Sequence, residues 1–261
     1  MNISLKDKHA LICGSTQGIG LAVAKELASL GATCILLARN EQKLQAVIGE
    51  LPVPYKQSHT YEVADFSDPG AVRLAVARVV ARFPVTILIN NTGGPAAGPI
   101  TGATTDDLEN AFRQHVICNQ VLVNAVLPAM KDATYGRIIN IISTSVKTPL
   151  PNLGVSNTIR AAVASWAKTL ANEIGPFGIT VNNVLPGSTY TGRLEALMEQ
   201  NAHASGQSID EVEKQVSDAV PLKRIGQPEE IANVVAFLAS PAASYVNGVS
   251  LPVDGGKTPS M

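Results

Sequence analysis

Seven short apolar runs rich in β-branched residues alternate along this chain with longer segments that carry the three-to-four-residue apolar period of a helix. The runs are His9 to Cys13, Thr33 to Ala38, His59 to Val63, Ile87 to Asn90, Arg137 to Ile142, Thr180 to Val184 and Ser250 to Val253. The helical segments between them are Ile19 to Leu30, Glu41 to Leu51, Pro69 to Arg82, Thr105 to Met130, Asn157 to Ile174 and Glu229 to Ala239. Strands that are apolar throughout are strands covered on both faces, and their alternation with helices predicts βαβ units. Right-handed crossovers then give an α/β fold: a doubly wound, seven-stranded parallel sheet of the Rossmann type with helices on both faces, in a single domain over 1–261.

The least regular stretch runs from Gly187 to Gly226, is polar, and carries the scattered charges Glu195, Glu199, Glu211, Glu213 and Lys214. Lying between two strand–helix units, it reads either as a lid-like insertion beside a ligand site or as a solvated helical flap.

Composition narrows the function classes. With 46% of 261 residues apolar, the chain can bury a sizeable core. Twenty basic residues stand against twenty-one acidic ones with no run of like charge, which argues against a nucleic-acid or anionic-membrane surface and for a small-molecule partner. Cys13, Cys34 and Cys118 lie far apart, without metal-ligand spacing, and read as buried thiols of a reducing compartment; no metal is expected. No apolar stretch reaches bilayer-spanning length and the first residues lack the core of a signal peptide, so the cytoplasm is the expected location.

After the first run comes Gly14-Ser15-Thr16-Gln17-Gly18-Ile19-Gly20, opening a helix. Glycines there let backbone N–H groups approach a pyrophosphate at the positive end of the helix, although a glycine triplet also suits a plain strand-to-helix turn. The second run ends at Ala38-Arg39-Asn40, where an NAD site usually carries an acid. A guanidinium suits a 2′-phosphate, which favours NADP(H), with NAD(H) as the alternative and a solvated loop arginine as the plain reading of Arg39.

Further along stand Asn90-Asn91-Thr92-Gly93, the segment Asn140 to Arg160, Pro186-Gly187-Ser188-Thr189-Tyr190-Thr191, Asn247-Gly248 and Val253-Asp254-Gly255-Gly256. In this order, and together with the glycine loop, they resemble the motifs of the short-chain dehydrogenase/reductase family over essentially the whole chain, with overall similarity to its 3-oxoacyl-carrier-protein reductase group. The resemblance implies Asp65 beside the adenine, Asn90 near the ribose with Gly93 close by, and Pro186, Gly187, Thr189 and Thr191 beside the nicotinamide carboxamide. In the family a serine binds the substrate carbonyl, a tyrosine thirteen residues later gives the proton, a lysine four beyond it holds the ribose, and an asparagine holds a relay water. Anchoring on Ser143 puts Ser156 and Arg160 in the tyrosine and lysine places, and counting back from Leu127-Pro128 puts His115 in the asparagine's.

An aliphatic hydroxyl is far less acidic than a phenol, and arginine polarises without shuttling protons. Loss of a matched general acid costs a factor of about 10² to 10⁴. Substitutes are His115, which is otherwise a packed helix residue, and Tyr190, which is otherwise a loop tyrosine. The resulting expectation is an NADP(H)-dependent oxidoreductase acting between a carbonyl and an alcohol with a divergent proton donor; the alternative is an NADP(H)-binding pseudoenzyme acting as sensor or supporting subunit. The small residues Ala161, Ala162, Ala164 and Ala167 resemble a subunit-packing face, implying a homodimer or homotetramer, with a buried intrachain helix as the plain reading.

Overall fold

A computed structural model describes residues 1–259. Its single sheet has seven parallel strands in the order β3-β2-β1-β4-β5-β6-β7, with β1 His9–Cys13, β2 Thr33–Ala38, β3 Thr60–Val63, β4 Ile87–Asn90, β5 Gly136–Ile141, β6 Ile179–Pro186 and β7 Ser250–Val253. The helices are α1 Gly18–Ser29, α2 Glu41–Glu50, α3 Pro69–Val80, α4 Thr105–Phe112, α5 Cys118–Asp132, α6 Gly154–Ile174, α7 Gly192–Ser205, α8 Ile209–Asp218 and α9 Pro228–Ala239. The expected fold class is the observed one.

The pleat explains why the strand runs are apolar throughout. Alternate side chains point to opposite faces, so Ala10 and Ile12 of β1 join one core with α1 and α9, while Leu11 and Cys13 join the other with α3, α5 and α6. The same split recurs in β2, where Cys34, Leu36 and Ala38 face the first core and Ile35 and Leu37 the second. Cys13, Cys34 and Cys118 are free, buried thiols.

Two departures from the apolar pattern matter. The single helix expected from Thr105 to Met130 is broken: a π-helical turn, Arg113–Ile117, separates α4 from α5 and turns His115 inward. A residue added to one turn leaves the apolar period nearly intact, which is why the pattern reads as continuous. The polar stretch 187–226 contains α7 and α8, which close their own small cluster of Met198, Ala202, Val212 and Ile225.

The strand order reverses direction at β1, whose neighbours are β2 and β4. Their connections run to opposite faces there, and a crevice opens beyond the carboxyl ends of the strands.

Candidate active site

A cleft of about 780 Å³ occupies that crevice. One end is built by the loop between β1 and α1. Gly14 has φ +59, and a Cβ on it would stand 2.5 Å from the Asn91 carbonyl oxygen. A Cβ on Gly20 would stand 2.1 Å from the Gly14 carbonyl oxygen. The loop therefore tolerates glycine alone at these points. Gln17, the residue before α1, makes no side-chain cap, and the first turn holds no acid, so the leading N–H groups of α1 remain unanswered by the chain. Such a helix start binds anions.

Thr16, Gln17, Gly18 and Ile19 line this end with Gly14 and Gly20. Ser15 does not: it is fully buried, with a hydroxyl that has no partner. Arg39 lines the far wall with Lys43 and Asp65. The Asp65 carboxyl accepts the Ser67 N–H at 2.8 Å, and this bond, with Arg39 a smaller contributor, holds its pKa below the usual carboxylate value.

Asn90, expected near a ribose, is not among the residues lining the cleft. It is buried and donates from Nδ2 to Asn140 Oδ1 at 2.8 Å; Asn140 donates to Asn183 Oδ1 at 2.9 Å, and Asn183 to Ser250 Oγ at 3.0 Å. These residues are paired in register across β4, β5, β6 and β7, so the ladder crosses four strands. Its neighbour Asn91 lines the cleft instead and pins the glycine loop, donating from Nδ2 to the carbonyls of Cys13 at 3.3 Å and Gly14 at 3.2 Å. Gly93 also lines the cleft.

At the other end, Ser143 caps a short 3-10 turn, and its Oγ accepts the Ser145 N–H at 3.0 Å. That contact uses a lone pair and leaves the O–H to donate into the cleft. Ser156 and Arg160, one turn apart on α6, line the same wall. Arg160 is buried, at 8% exposure, and donates from Nη1 to the Ile141 carbonyl at 3.2 Å and from Nη2 to the Thr92 carbonyl at 3.4 Å. Burial, then the like charge of Arg193, draws its guanidinium down to about 10, so it is still cationic at neutral pH. Pro186, Gly187, Thr189 and Thr191 line the roof. Thr189 donates to the Gly187 carbonyl at 3.2 Å, and Thr191 caps α7.

Two candidate acids fall outside the cleft lining. His115 is 1% exposed; its Nδ1 lies 2.6 Å from Thr92 Oγ1 and its Nε2 has no partner. Burial, with the Arg160 charge second, pushes its pKa down to about 3, so at neutral pH it is an uncharged imidazole and no proton reservoir. Tyr190 turns away toward α8, where its hydroxyl donates to the Glu213 carboxylate and its ring packs on the Met198 cluster. Both corrections have one cause. The facing of a side chain on a kinked helix or a roof loop is set by its packing partners, not by its distance along the sequence from a motif.

Lining residues not anticipated from sequence include Lys43, Asn91, Gln114, Arg193 and Lys257. Only Asn91 had a local signal, being the second asparagine of a pair that closes a strand. Among the described residues no cluster of three metal-ligating side chains occurs, and no helix is long and apolar enough to cross a membrane.

The family model described as Enoyl-(Acyl carrier protein) reductase matches residues 14–258. The 3-oxoacyl-[acyl-carrier-protein] reductase FabG of Aquifex aeolicus is 32% identical over 259 residues, spanning 98% of this chain and 99% of its own. The NADPH-dependent reductase BacG of Bacillus subtilis is 28% identical over 259 residues, spanning 98% and 100%. Among solved structures, L-sorbose reductase from Gluconobacter frateurii, complexed with NADPH and L-sorbose, superposes with a TM-score of 0.94 at 30% identity, covering 100% of both chains.

Proposed function

This chain belongs to the short-chain dehydrogenase/reductase family, and from that premise we propose that it is an NADP(H)-dependent oxidoreductase interconverting a carbonyl and an alcohol without a tyrosine as proton donor. The observation that carries the reading is the sharing of one cleft by an uncapped, glycine-cradled helix start and the trio Ser143, Ser156 and Arg160. The family resemblance assigns the first to a cofactor pyrophosphate, the places of Ser143 and Ser156 to the reacting carbonyl, and that of Arg160 to the nicotinamide ribose next to it.

The residues present fit that cofactor. Gly14, Gly18 and Gly20 let backbone reach a pyrophosphate, Thr189 and Thr191 stand at the roof, and Arg39 with Lys43 offers two cations to a 2′-phosphate where an NAD site would hold an acid. NADPH held by these residues would supply a hydride for the carbonyl carbon. The chain's part is to place and neutralise. Ser143 donates its free O–H to the carbonyl oxygen. Arg160 holds a fixed positive charge in a buried wall, where it lowers the cost of negative charge growing on that oxygen. Counted from Ser143, Ser156 falls where the family has its tyrosine; its hydroxyl is shorter and far less acidic than a phenol but matched in pKa to the product alcohol, so it would relay a proton to the growing alkoxide and take one back from solvent through the open cleft. Names of relatives that reduce 3-oxoacyl groups or sorbose support a carbonyl substrate.

Calorimetric titration with NADPH and NADH, followed by absorbance of the reduced nicotinamide with a panel of ketones, tests this. NADPH should bind at least tenfold more tightly than NADH and be oxidised only when a ketone is present. Ser143→Ala should lower turnover by about 10² to 10³, the loss typical of a donor to a developing oxyanion. NADPH binding without turnover on any ketone would overturn the enzymatic reading.

A further inference from the structure

Two guanidinium groups converge on the catalytic end of the cleft, and among the described residues no carboxylate pairs with either. Arg160 comes from α6. Arg193 is the second residue of α7 and donates from Nη2 to the Pro95 carbonyl at 2.7 Å. Both reach the same point beside Gly94: a Cβ built there would lie 3.8 Å from Arg193 Nε and 3.9 Å from Arg160 Nη2. The five ion pairs among the described residues involve neither arginine.

The charged groups lining the cleft are Arg39, Lys43, Arg160, Arg193, Lys257 and a single acid, Asp65, at the Arg39 end. Like charges held this close repel, and of the two Arg160 is a buried cation, for which a missing counter-ion is costly, while Arg193 is exposed at the cleft rim. The arrangement suits a site whose anion arrives with the ligand. The cofactor's own anions have other seats: the start of α1 for the pyrophosphate, and Arg39 with Lys43 for the 2′-phosphate. Arg160 spends donors on two backbone carbonyls and Arg193 on one, and a guanidinium has five, so each keeps N–H groups free.

We propose, resting on the reductase reading above, that Arg160 and Arg193 clamp a carboxylate of the substrate, so that the protein reduces free oxo acids in preference to neutral ketones. The reaction converts an oxo acid, reduced nicotinamide and one proton into a hydroxy acid and oxidised nicotinamide. The hydride goes to the keto carbon, the proton to its oxygen, and the carboxylate is unchanged. Planar bidentate pairing suits arginine and not lysine.

The test uses the full chain loaded with NADP⁺ for calorimetry and with NADPH for turnover. The probes are 2-oxobutanoate, 3-oxobutanoate, 4-oxopentanoate and their methyl esters. At least one acid should bind and turn over tenfold or more better than its ester. Arg193→Gln, which keeps a polar side chain but removes the charge and the Nη2 donor to Pro95, should raise Kd and KM for that acid about 10- to 100-fold, the weight of lost hydrogen bonds to a charged group. The ester's constants and the NADPH affinity should move less than threefold, and Arg193→Lys should recover only part of the loss.

Equal affinity for acid and ester in the unaltered protein overturns the clamp while leaving the reductase reading intact. So does an Arg193→Gln variant that loses NADPH as strongly as it loses the acid, because the pair would then serve the cofactor's phosphates. Acid binding that depends on Arg193 but is never followed by NADPH oxidation supports the clamp and overturns the reductase reading instead.

Discussion

Ser143, Ser156 and Arg160 bring no group to the cleft that titrates between mildly acidic and mildly alkaline pH. The nearest imidazole, His115, is held neutral down to about pH 3 by burial first and by the Arg160 charge second. Arg160 itself is drawn down to about 10 by burial and by Arg193. At saturating substrate, kcat should therefore be flat from about pH 5 to 9 and fall above that as Arg160 gives up its proton, its charge being present below its pKa and lost above it. An inflection near 6.5 in the pH–rate profile would mean that His115 titrates in the cleft, against its burial. Tyr190 makes the complementary case. Its hydroxyl is committed to Glu213, and its ring belongs to the α7–α8 cluster, so Tyr190→Phe should change kcat by less than about threefold. A loss of 10² or more, the size expected for a lost general acid, would return Tyr190 to the reaction.

The elements were the most legible part of this chain. β1, β2, β4 and β7 have the limits of their apolar runs, because a strand buried on both faces carries its whole signal in its own residues. The π turn at Arg113–Ile117 had no such signal, being a change of winding that leaves the apolar stripe nearly in phase. The glycine loop was legible for the same local reason as the strands, since close backbone approach shows as glycine in the sequence. Asn90 was not. Its partner Asn140 lies fifty residues on, and only the registered pairing of β4 with β5 brings the two amides together. The β1–α1 loop also supports a prediction at this scale. Gly20 packs so closely on the Gly14 carbonyl that a methyl group must displace backbone. Overpacking of this kind costs about 1–3 kcal/mol. Gly20→Ala should show that loss in urea unfolding together with at least tenfold weaker NADPH binding by calorimetry. Unchanged NADPH affinity would mean that the loop is a turn and not a phosphate cradle.

At the scale of the molecule, α6 ties the catalytic wall to the outer surface. It carries Ser156 and Arg160 into the cleft, while Ala161 and Ser165 are exposed small residues. On the family resemblance we propose that this outer face is a subunit contact: light scattering should then give a dimer or tetramer, and Ala161→Arg should reduce the particle mass by filling the space two helices would share. A monomeric unaltered protein would remove that expectation. Global stability should also depend on pH through His115, and the sign follows from its depressed pKa. In the unfolded chain the imidazole titrates near its ordinary value of 6.5, whereas in the folded protein it stays neutral to about 3. Between these values the unfolded state holds the extra proton, so stability is fully present above pH 6.5 and is lost as pH falls toward 3. The steepest contribution of one such group is about 1.4 kcal/mol per pH unit. His115→Asn keeps a polar side chain beside Thr92 but removes the titration. The free energy of unfolding should then fall less steeply with acid in the variant than in the unaltered protein, the two slopes differing most between pH 4 and 6. Parallel slopes would show that His115 protonates in the folded state and that the pocket around Thr92 and Arg160 opens to water.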